Sequence, residues 1–90
     1  MQYNSIVAEF LGSIVLMLSI LLTNGNALIV ALVLGVLIYS AASYSGAHFN
    51  PMVSIIMGLK GVLDWSQVPL YIAAQVAGGV TAYAINKYAL

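Results

Sequence analysis

The sequence contains no cysteine, no arginine and very few charged residues of any kind. Without cysteine, thiolate metal sites and cysteine-based redox chemistry are excluded. Charged residues make up 4% of the chain, against about 25% in a typical soluble domain. No basic patch is present, which argues against recognition of nucleic acid or anionic lipid. These absences leave no room for a soluble domain.

The few charged and titratable side chains do not form a catalytic set. The charged residues are Glu9, Lys60, Asp64 and Lys87, and their net charge is zero. No base–nucleophile pair, phosphate-binding loop or pair of acids at helical spacing occurs. One histidine, without cysteine or a nearby carboxylate in sequence, does not indicate a metal site. The sequence therefore predicts that the protein is not an enzyme and binds no metal and no cofactor.

Long apolar runs dominate the chain, which is 63% hydrophobic with a mean hydropathy of +1.09. Three runs approach the length of about 20 residues that a membrane-spanning helix needs: 5–23, 27–42 and 68–86. The start has no basic region and no cleavage site, so the first run is interpreted as a retained helix rather than a signal peptide. Residues 1–90 are predicted to form a single unit of an integral protein of the cell membrane.

Polar connectors and small residues organise these runs. A polar turn at 23–26 joins the first two runs, and a polar connector at 58–66 precedes the third. Small residues recur every four positions in the second run and again in the third: Ala27, Ala31 and Gly35, then Ala74, Gly78 and Ala82. Each stripe predicts a helix face that a second helix can approach closely.

The segment 45–54 is polar and contains residues with special backbone preferences. Asn50 is a preferred N-cap, and Pro51 suits the first helical position because the N–H that it lacks would be unpaired there anyway. A helix over about 52–59, ended by Gly58 and Gly61, is too short to cross a bilayer. The carbonyls before it are tolerated at membrane depth only where they line a watery cavity. The predicted fold is all-α, with three transmembrane helices plus one re-entrant half-helix.

This segment resembles a known motif. Its order, Ser-Gly-Ala-His-x-Asn-Pro-x-Val-Ser, is similar to the first Asn-Pro-Ala loop of the aquaporin, or major intrinsic protein, family. Residues 8–12 and 71–79 resemble the first and third helices of that family. Met52 stands where the family has alanine. Only one of the two aquaporin repeats is present, and it resembles the N-terminal half.

The resemblance implies a pore lined by this loop. As an N-cap, Asn50 uses its side-chain oxygen on a backbone N–H and turns its NH₂ group to the lumen as a donor. The positive end of the half-helix disfavours cations, including hydronium. The carbonyls of three residues are expected to form a row of acceptors opposite. The motif residues besides Asn50 are Gly46, Ala47 and His48, which carry those carbonyls, with Pro51 and Met52.

The resemblance also implies a constriction made by Val30 and Val53. Val30 falls at the second-helix position that usually holds an aromatic residue, and Val53 falls where the second repeat of the family carries arginine. An antiparallel pair of chains presents each valine twice. Such a ring offers no donor to water and no fixed charge against cations. We therefore expect small neutral solutes such as glycerol to pass along with water.

Glu9, Gln75 and His48 each have two interpretations. Glu9 lies one turn inside the first run and could be a proton or drug-cation site, as in small multidrug transporters, or a structural acceptor for loop N–H groups. The resemblance favours the structural role. Gln75 is predicted to make an interhelical hydrogen bond rather than to contact substrate. His48 could titrate near pH 6.5 and gate the lumen, but a local hydrogen bond is the favoured prediction.

The predicted function is passive conduction of water and of small neutral solutes. One chain supplies one half-helix, so the predicted pore is an antiparallel homodimer in the lipid bilayer, with four such pores assembling. Each side of the membrane receives one lysine, which gives almost no orientation bias. The alternative partner is a complementary half-aquaporin or a full-length one. The alternative functions are a holin-like membrane-lesion protein and a small proton-coupled transporter that uses Glu9.

Overall fold

The computed structural model describes residues 3–90, and this part of the chain is helical without any strand. The helices are α1 Tyr3–Thr23, α2 Ala27–Ser45, α3 Pro51–Lys60 and α4 Val68–Tyr88, with a short 3₁₀ helix at Trp65–Gln67. Three stretches are long and apolar enough to cross a membrane: Asn4–Thr23, Ala27–Ser45 and Trp65–Tyr88. With 10 residues, α3 is the exception. The predicted fold class is confirmed.

The ends of α2 and α3 differ from the predicted ones. α2 continues to Ser45 instead of residue 42, because Gly46 adopts a left-handed conformation (φ 81°) and donates its N–H to the carbonyl of Ala42. α3 runs to Lys60 and is capped by left-handed Gly61 (φ 84°). A glycine in the left-handed region is the usual helix stop, because it has no Cβ to clash.

Gly58 therefore lies inside α3 and does not end it, which corrects the prediction that the connector begins there. Its role is packing. A Cβ on Gly58 would lie 2.6 Å from Cε3 of Trp65 and 2.6 Å from Cγ2 of Val68. The bare backbone makes room for the indole ring, so α3 can lie close to the start of α4. The connector is therefore shorter than predicted and consists of residues 61–64. At its end, the Asp64 carboxylate caps the 3₁₀ helix by accepting from the N–H of Ser66. That bond holds the pKa of Asp64 below its usual value.

The two small-residue stripes have opposite outcomes. Along α4, the stripe of Ala74, Gly78 and Ala82 is buried, because α1 packs against it at close range. A Cβ on Gly78 would lie 2.6 Å from the carbonyl oxygen of Phe10. Along α2, the stripe that includes Gly35 is exposed, and no atom would lie within 4 Å of an added Cβ. Within residues 3–90, only the α4 stripe packs against another helix.

α1 lies at the centre of the helix packing. α1 packs against both α4 and α2, and α3 packs against α4. The remaining apolar surface is large: Leu32, Val36 and Tyr39 of α2 are each more than half exposed. Apolar side chains at this density suit a lipid or protein environment rather than water. The chain is an integral membrane protein, as predicted.

Candidate pore loop

Residues 46–50 turn the chain between α2 and α3 in an unusual backbone conformation. Besides Gly46, both Ala47 (φ 54°) and Phe49 (φ 52°) lie in the left-handed region, whereas Asn50 is extended (φ −154°). Left-handed conformations cost a residue with a Cβ of order 1–3 kcal/mol each. The loop therefore needs interactions from the surrounding helices to hold it.

The carboxylate of Glu9 supplies the main interactions. Its side chain is fully buried, at 0% exposure. Oε2 accepts from the N–H of His48 (3.1 Å) and the hydroxyl of Ser45 (2.7 Å). Oε1 accepts from the N–H of Phe49 (2.8 Å) and from Nε2 of Gln75 (2.7 Å). One carboxylate thus fixes two consecutive loop N–H groups. Loop N–H groups are the donors that the structural interpretation of Glu9 requires.

A second set of hydrogen bonds connects α4 to this centre. Nε2 of Gln75 donates to Glu9 and also lies 2.9 Å from the hydroxyl of Ser54 on α3. Because a carboxylate only accepts, it requires the NH₂ end of the Gln75 amide to face it. Gln75 therefore joins α4 to α1 and to α3, which is the interhelical contact expected of it. One turn earlier on α4, the Tyr71 hydroxyl donates to the carbonyl of Ser45 (2.8 Å).

Ser45, Ser54 and Tyr71 are the members of this network that sequence reasoning missed. A usable signal was present, because Tyr71 and Gln75 are four residues apart and share one face of α4. Ser54, which is 0% exposed, lies one turn into α3 from Asn50. Serine and tyrosine are too common in apolar helices for either spacing to stand out without the position of Glu9.

His48 makes local contacts. Its Nδ1 lies 2.9 Å from the Ser54 hydroxyl, and its ring packs 5.1 Å from the Tyr71 ring at 48°. Nε2 lies near Gly46, where an added Cβ would meet it at 3.1 Å. The side chain is half-buried. These contacts are of the kind expected for a locally bonded histidine, and a gating role finds no additional support in them.

The opposite side of the loop is rich in unpaired polar groups. Within residues 3–90, the carbonyl oxygens of Gly46, Ala47 and His48 accept no hydrogen bond. Asn50 caps α3 through Oδ1, which accepts from the N–H of Met52 (2.8 Å). Its NH₂ group has no acceptor in the same part of the chain, and the residue is exposed. The loop therefore has an N–H side held by Glu9 and a free side that offers carbonyl acceptors and one amide donor.

The predicted constriction residues lie on different helix pairs. Val30 is in the first turn of α2 and Val53 in the first turn of α3, and both are half-buried. α2 packs on α1, whereas α3 packs on α4. The packing within one chain does not combine the two valines. Pro51 occupies the first position of α3, and Met52, which follows it, is 65% exposed.

Metal binding has no support in residues 3–90, where no three His, Cys, Asp or Glu side chains come together. The polar groups of the loop are neutral donors and acceptors, apart from the fully engaged carboxylate of Glu9. Such an arrangement can exchange hydrogen bonds with a neutral polar molecule. The one hydroxyl beside the imidazole of His48, that of Ser54, is fully buried and also accepts from Gln75, so it is not presented to a substrate.

Comparison with known proteins agrees with this geometry. Residues 1–90 match the family model described as Major intrinsic protein. The chain is 36% identical to the probable aquaporin NIP7-1 of Arabidopsis thaliana, over 90% of this chain and 37% of that relative. It is 48% identical to the aquaporin NIP3-1 of Arabidopsis thaliana, over 70% of this chain and 20% of that relative. The matches thus cover 37% and 20% of the length of these two relatives, so the chain spans only a part of each. No solved structure matches it.

These matches confirm the predicted resemblance to the aquaporin, or major intrinsic protein, family. Because the family is one of channels, they also confirm the prediction that the chain is not an enzyme. With the family model matching from the first residue to the last, the chain belongs to the major intrinsic protein family.

Proposed function

We propose that the chain is a channel subunit for passive conduction of water and small neutral solutes such as glycerol. The observation that carries the proposal is the two-sided loop at 46–50. Glu9 holds the N–H groups of His48 and Phe49 on one side, which leaves the carbonyls of the loop and the NH₂ of Asn50 free on the other. A loop that turns unpaired polar groups away from its own chain at membrane depth must face either a water-filled cavity or another protein segment, and the proposal is that it faces water.

The mechanism follows from the polarity of these groups. Water molecules that pass Asn50 accept from its NH₂ group and donate to the carbonyls of Gly46, Ala47 and His48. These exchanges replace the hydrogen bonds that water loses on leaving bulk solvent. The N-terminus of α3 carries a partial positive charge, which repels cations. Neutral polar molecules therefore pass, and ions are disfavoured.

Residues 1–90 contribute one half-helix, so the proposed pore needs a second half-helix. We propose an antiparallel homodimer, in which the half-helix of a second copy enters from the other side of the membrane. The balance of one lysine on each side, Lys60 and Lys87, supports insertion in both orientations. In this dimer Val30 of one copy and Val53 of the other approach the same mouth. Four such pores form the proposed assembly, and a complementary half-aquaporin is the alternative partner.

Replacing the NH₂ group of Asn50 with an oxygen tests the proposed pore. Asn50→Asp keeps an oxygen that caps α3 but replaces the NH₂ donor with a negative charge. We expect slower osmotic water flow and a new cation leak in proteoliposomes. The matched control is Asn26→Asp, because Asn26 caps α2 in the same way by accepting from Ile29 N–H in an exposed turn. Unchanged water flow and no cation leak in the Asn50 variant would contradict the proposal.

The same vesicles separate the alternative functions. A wild-type ion leak indicates a holin-like lesion, and substrate-dependent proton flux indicates a transporter that uses Glu9. The transporter gains no support from the geometry, since both carboxylate oxygens of Glu9 are engaged and the side chain is fully buried.

Fixing the orientation of the chain in the membrane tests the proposed antiparallel homodimer. Two arginines placed in the turn 23–26 should keep that turn on the cytoplasmic side. This variant alone should not conduct, and co-expression with a variant of the opposite bias should restore conduction. The chain contains no native cysteine, so a cysteine added at either terminus can be labelled in intact cells to report orientation. Normal conduction by a population of one orientation would exclude the antiparallel dimer.

A further inference from the structure

Two buried polar atoms of α1 and α4 have no hydrogen-bond partner within residues 3–90. They are Oγ of Ser13 and Oε1 of Gln75, and the two residues are 6% and 5% exposed. A buried polar atom is normally paired with protein or with an ordered water, because leaving it unpaired costs free energy. Ser13 follows Glu9 by four residues on α1, so it continues the helix face that holds the loop. The two unpaired atoms indicate a position that favours a polar molecule.

Ser13 and Gln75 line one groove between α1 and α4, which has a volume of about 200 Å³. Phe49 of the loop and Pro51, the first residue of α3, also line it, so the groove adjoins the loop. Gly79 lines it too, and within residues 3–90 no atom would lie within 4 Å of an added Cβ there. An ordered water needs about 10–15 Å³ of such space and about two to four polar partners. The groove provides the space, and the two unpaired oxygens provide two partners.

The chemistry of the two atoms selects a neutral molecule with a hydroxyl group. The NH₂ group of Gln75 is already used on Glu9 and Ser54, and its Oε1 can only accept. The Ser13 hydroxyl can donate or accept. A small ion would find no free charged partner, because both oxygens of Glu9 are engaged. An apolar occupant would leave both atoms unpaired, whereas water can donate to Gln75 and exchange a hydrogen bond with Ser13.

We propose that this groove binds structural water, held by Ser13 and Gln75, which is distinct from the water that moves through the pore. The amide of Gln75 is then held at both ends, its NH₂ group by Glu9 and Ser54 and its Oε1 by water. Because this amide also positions the carboxylate that holds the loop, the bound water contributes to the geometry of the loop. The supply of water to a groove at membrane depth rests on the proposed pore, which the groove adjoins.

The sign of a stability change tests the site. Ser13→Ala removes Oγ and keeps the Cβ that packs against Gly78. If water pairs with Oγ, the substitution breaks hydrogen bonds and lowers the midpoint of SDS unfolding. If Oγ is unpaired, the midpoint rises, because a buried polar atom is removed and alanine is the better helix former. We expect the lower midpoint. The matched control is Ser19→Ala on the same helix, whose hydroxyl bonds to the carbonyl of Leu16, and its midpoint should shift less.

Solid-state NMR of the protein in lipid vesicles detects the water directly. Met17 lines the groove, so labelled methionine methyl groups place a probe in it. We expect a cross-peak between water protons and the Met17 methyl group. Gly79→Leu should remove this cross-peak, because the new side chain fills the groove. The matched control is Gly35→Leu, which adds the same side chain at a glycine of α2 that also has nothing within 4 Å in residues 3–90 but does not line the groove.

Three results would overturn the inference. The first is a higher unfolding midpoint for Ser13→Ala than for the wild type. The second is contact of the Met17 methyl group with lipid chains and none with water in vesicles that conduct water, which leaves the pore proposal standing. The third is equal loss of the water cross-peak in Gly79→Leu and Gly35→Leu. A water cross-peak at Met17 in vesicles that do not conduct would support the groove site and count against the pore proposal.

Discussion

Replacing Glu9 with glutamine is the sharpest test of how the loop is held. The substitution preserves the size of the side chain and exchanges one carboxylate oxygen for an NH₂ group. Each oxygen of Glu9 accepts one loop N–H, Oε2 from His48 and Oε1 from Phe49. Whichever way the new amide turns, its NH₂ group therefore faces a backbone donor. At least one N–H of the loop loses its acceptor.

The magnitude follows from the number of bonds affected. A buried N–H without a partner costs about 1–3 kcal/mol, and hydrogen bonds to a charged acceptor are worth about 1 kcal/mol more than neutral ones. Two donors remain on the retained oxygen and lose this charge assistance. The expected loss in the free energy of unfolding is about 3–5 kcal/mol. The strained conformations of Ala47 and Phe49 lose their support at the same time.

Unfolding by SDS in mild detergent measures this loss. Trp65 is the sole tryptophan and packs against Gly58, so its fluorescence reports the contact between α3 and α4. Ser19→Ala is a suitable control, because the Ser19 hydroxyl bonds only within α1, to the carbonyl of Leu16. We expect the control to change stability by about 0.5 kcal/mol or less.

A loss of less than about 1 kcal/mol in the glutamine variant, which is the value of a single neutral hydrogen bond, would refute the reasoning. A variant that folds and assembles fully, yet loses only pH-dependent transport, would favour the transporter hypothesis for Glu9.

Two further substitutions test the packing and the proposed constriction. Gly78→Ala should lower the midpoint of SDS unfolding, because the added Cβ would lie 2.6 Å from the Phe10 carbonyl oxygen. The control Gly79→Ala should be neutral or stabilising, because nothing lies within 4 Å of its added Cβ. Equal effects of the two substitutions on the unfolding curve would contradict the close approach of α1 and α4. Val30→Phe should reduce glycerol flux more than water flux in the same proteoliposomes, because it narrows the mouth. A wild-type pore that passes water but rejects every larger neutral solute would contradict the valine constriction and indicate a partner that supplies an arginine.

Much of the secondary structure could be predicted because its signals are local. The apolar runs predict three spanning helices, and Asn50 followed by Pro51 predicts the start of α3, since capping depends on neighbouring residues alone. The ends of α2 and α3 were less predictable. Whether Gly46, Gly58 or Gly61 ends a helix depends on which of them adopts the left-handed conformation. Gly46 and Gly61 do (φ 81° and 84°), whereas Gly58 stays inside α3, where its missing Cβ leaves room for Trp65.

The candidate site was only partly predictable for the same reason. The resemblance of the segment 45–54 identified the loop, and the depth of Glu9 in an apolar helix identified a carboxylate that needs donors. Ser45, Ser54 and Tyr71 were missed because their roles depend on contacts between residues 21 to 36 positions apart in the sequence. No periodicity within one helix encodes such contacts.

The sequence by itself determined the membrane environment, the number of spanning helices and the position of the re-entrant loop, because each depends on composition or on neighbouring residues. Only the tertiary structure decided which of the two small-residue stripes packs against a helix within residues 3–90. Only it decided that the N–H groups of His48 and Phe49 converge on Glu9 while the loop carbonyls accept no hydrogen bond in the same part of the chain. The stripes look alike in the sequence. They differ in the folded chain because α1 lies over Gly78, whereas nothing in residues 3–90 lies over Gly35.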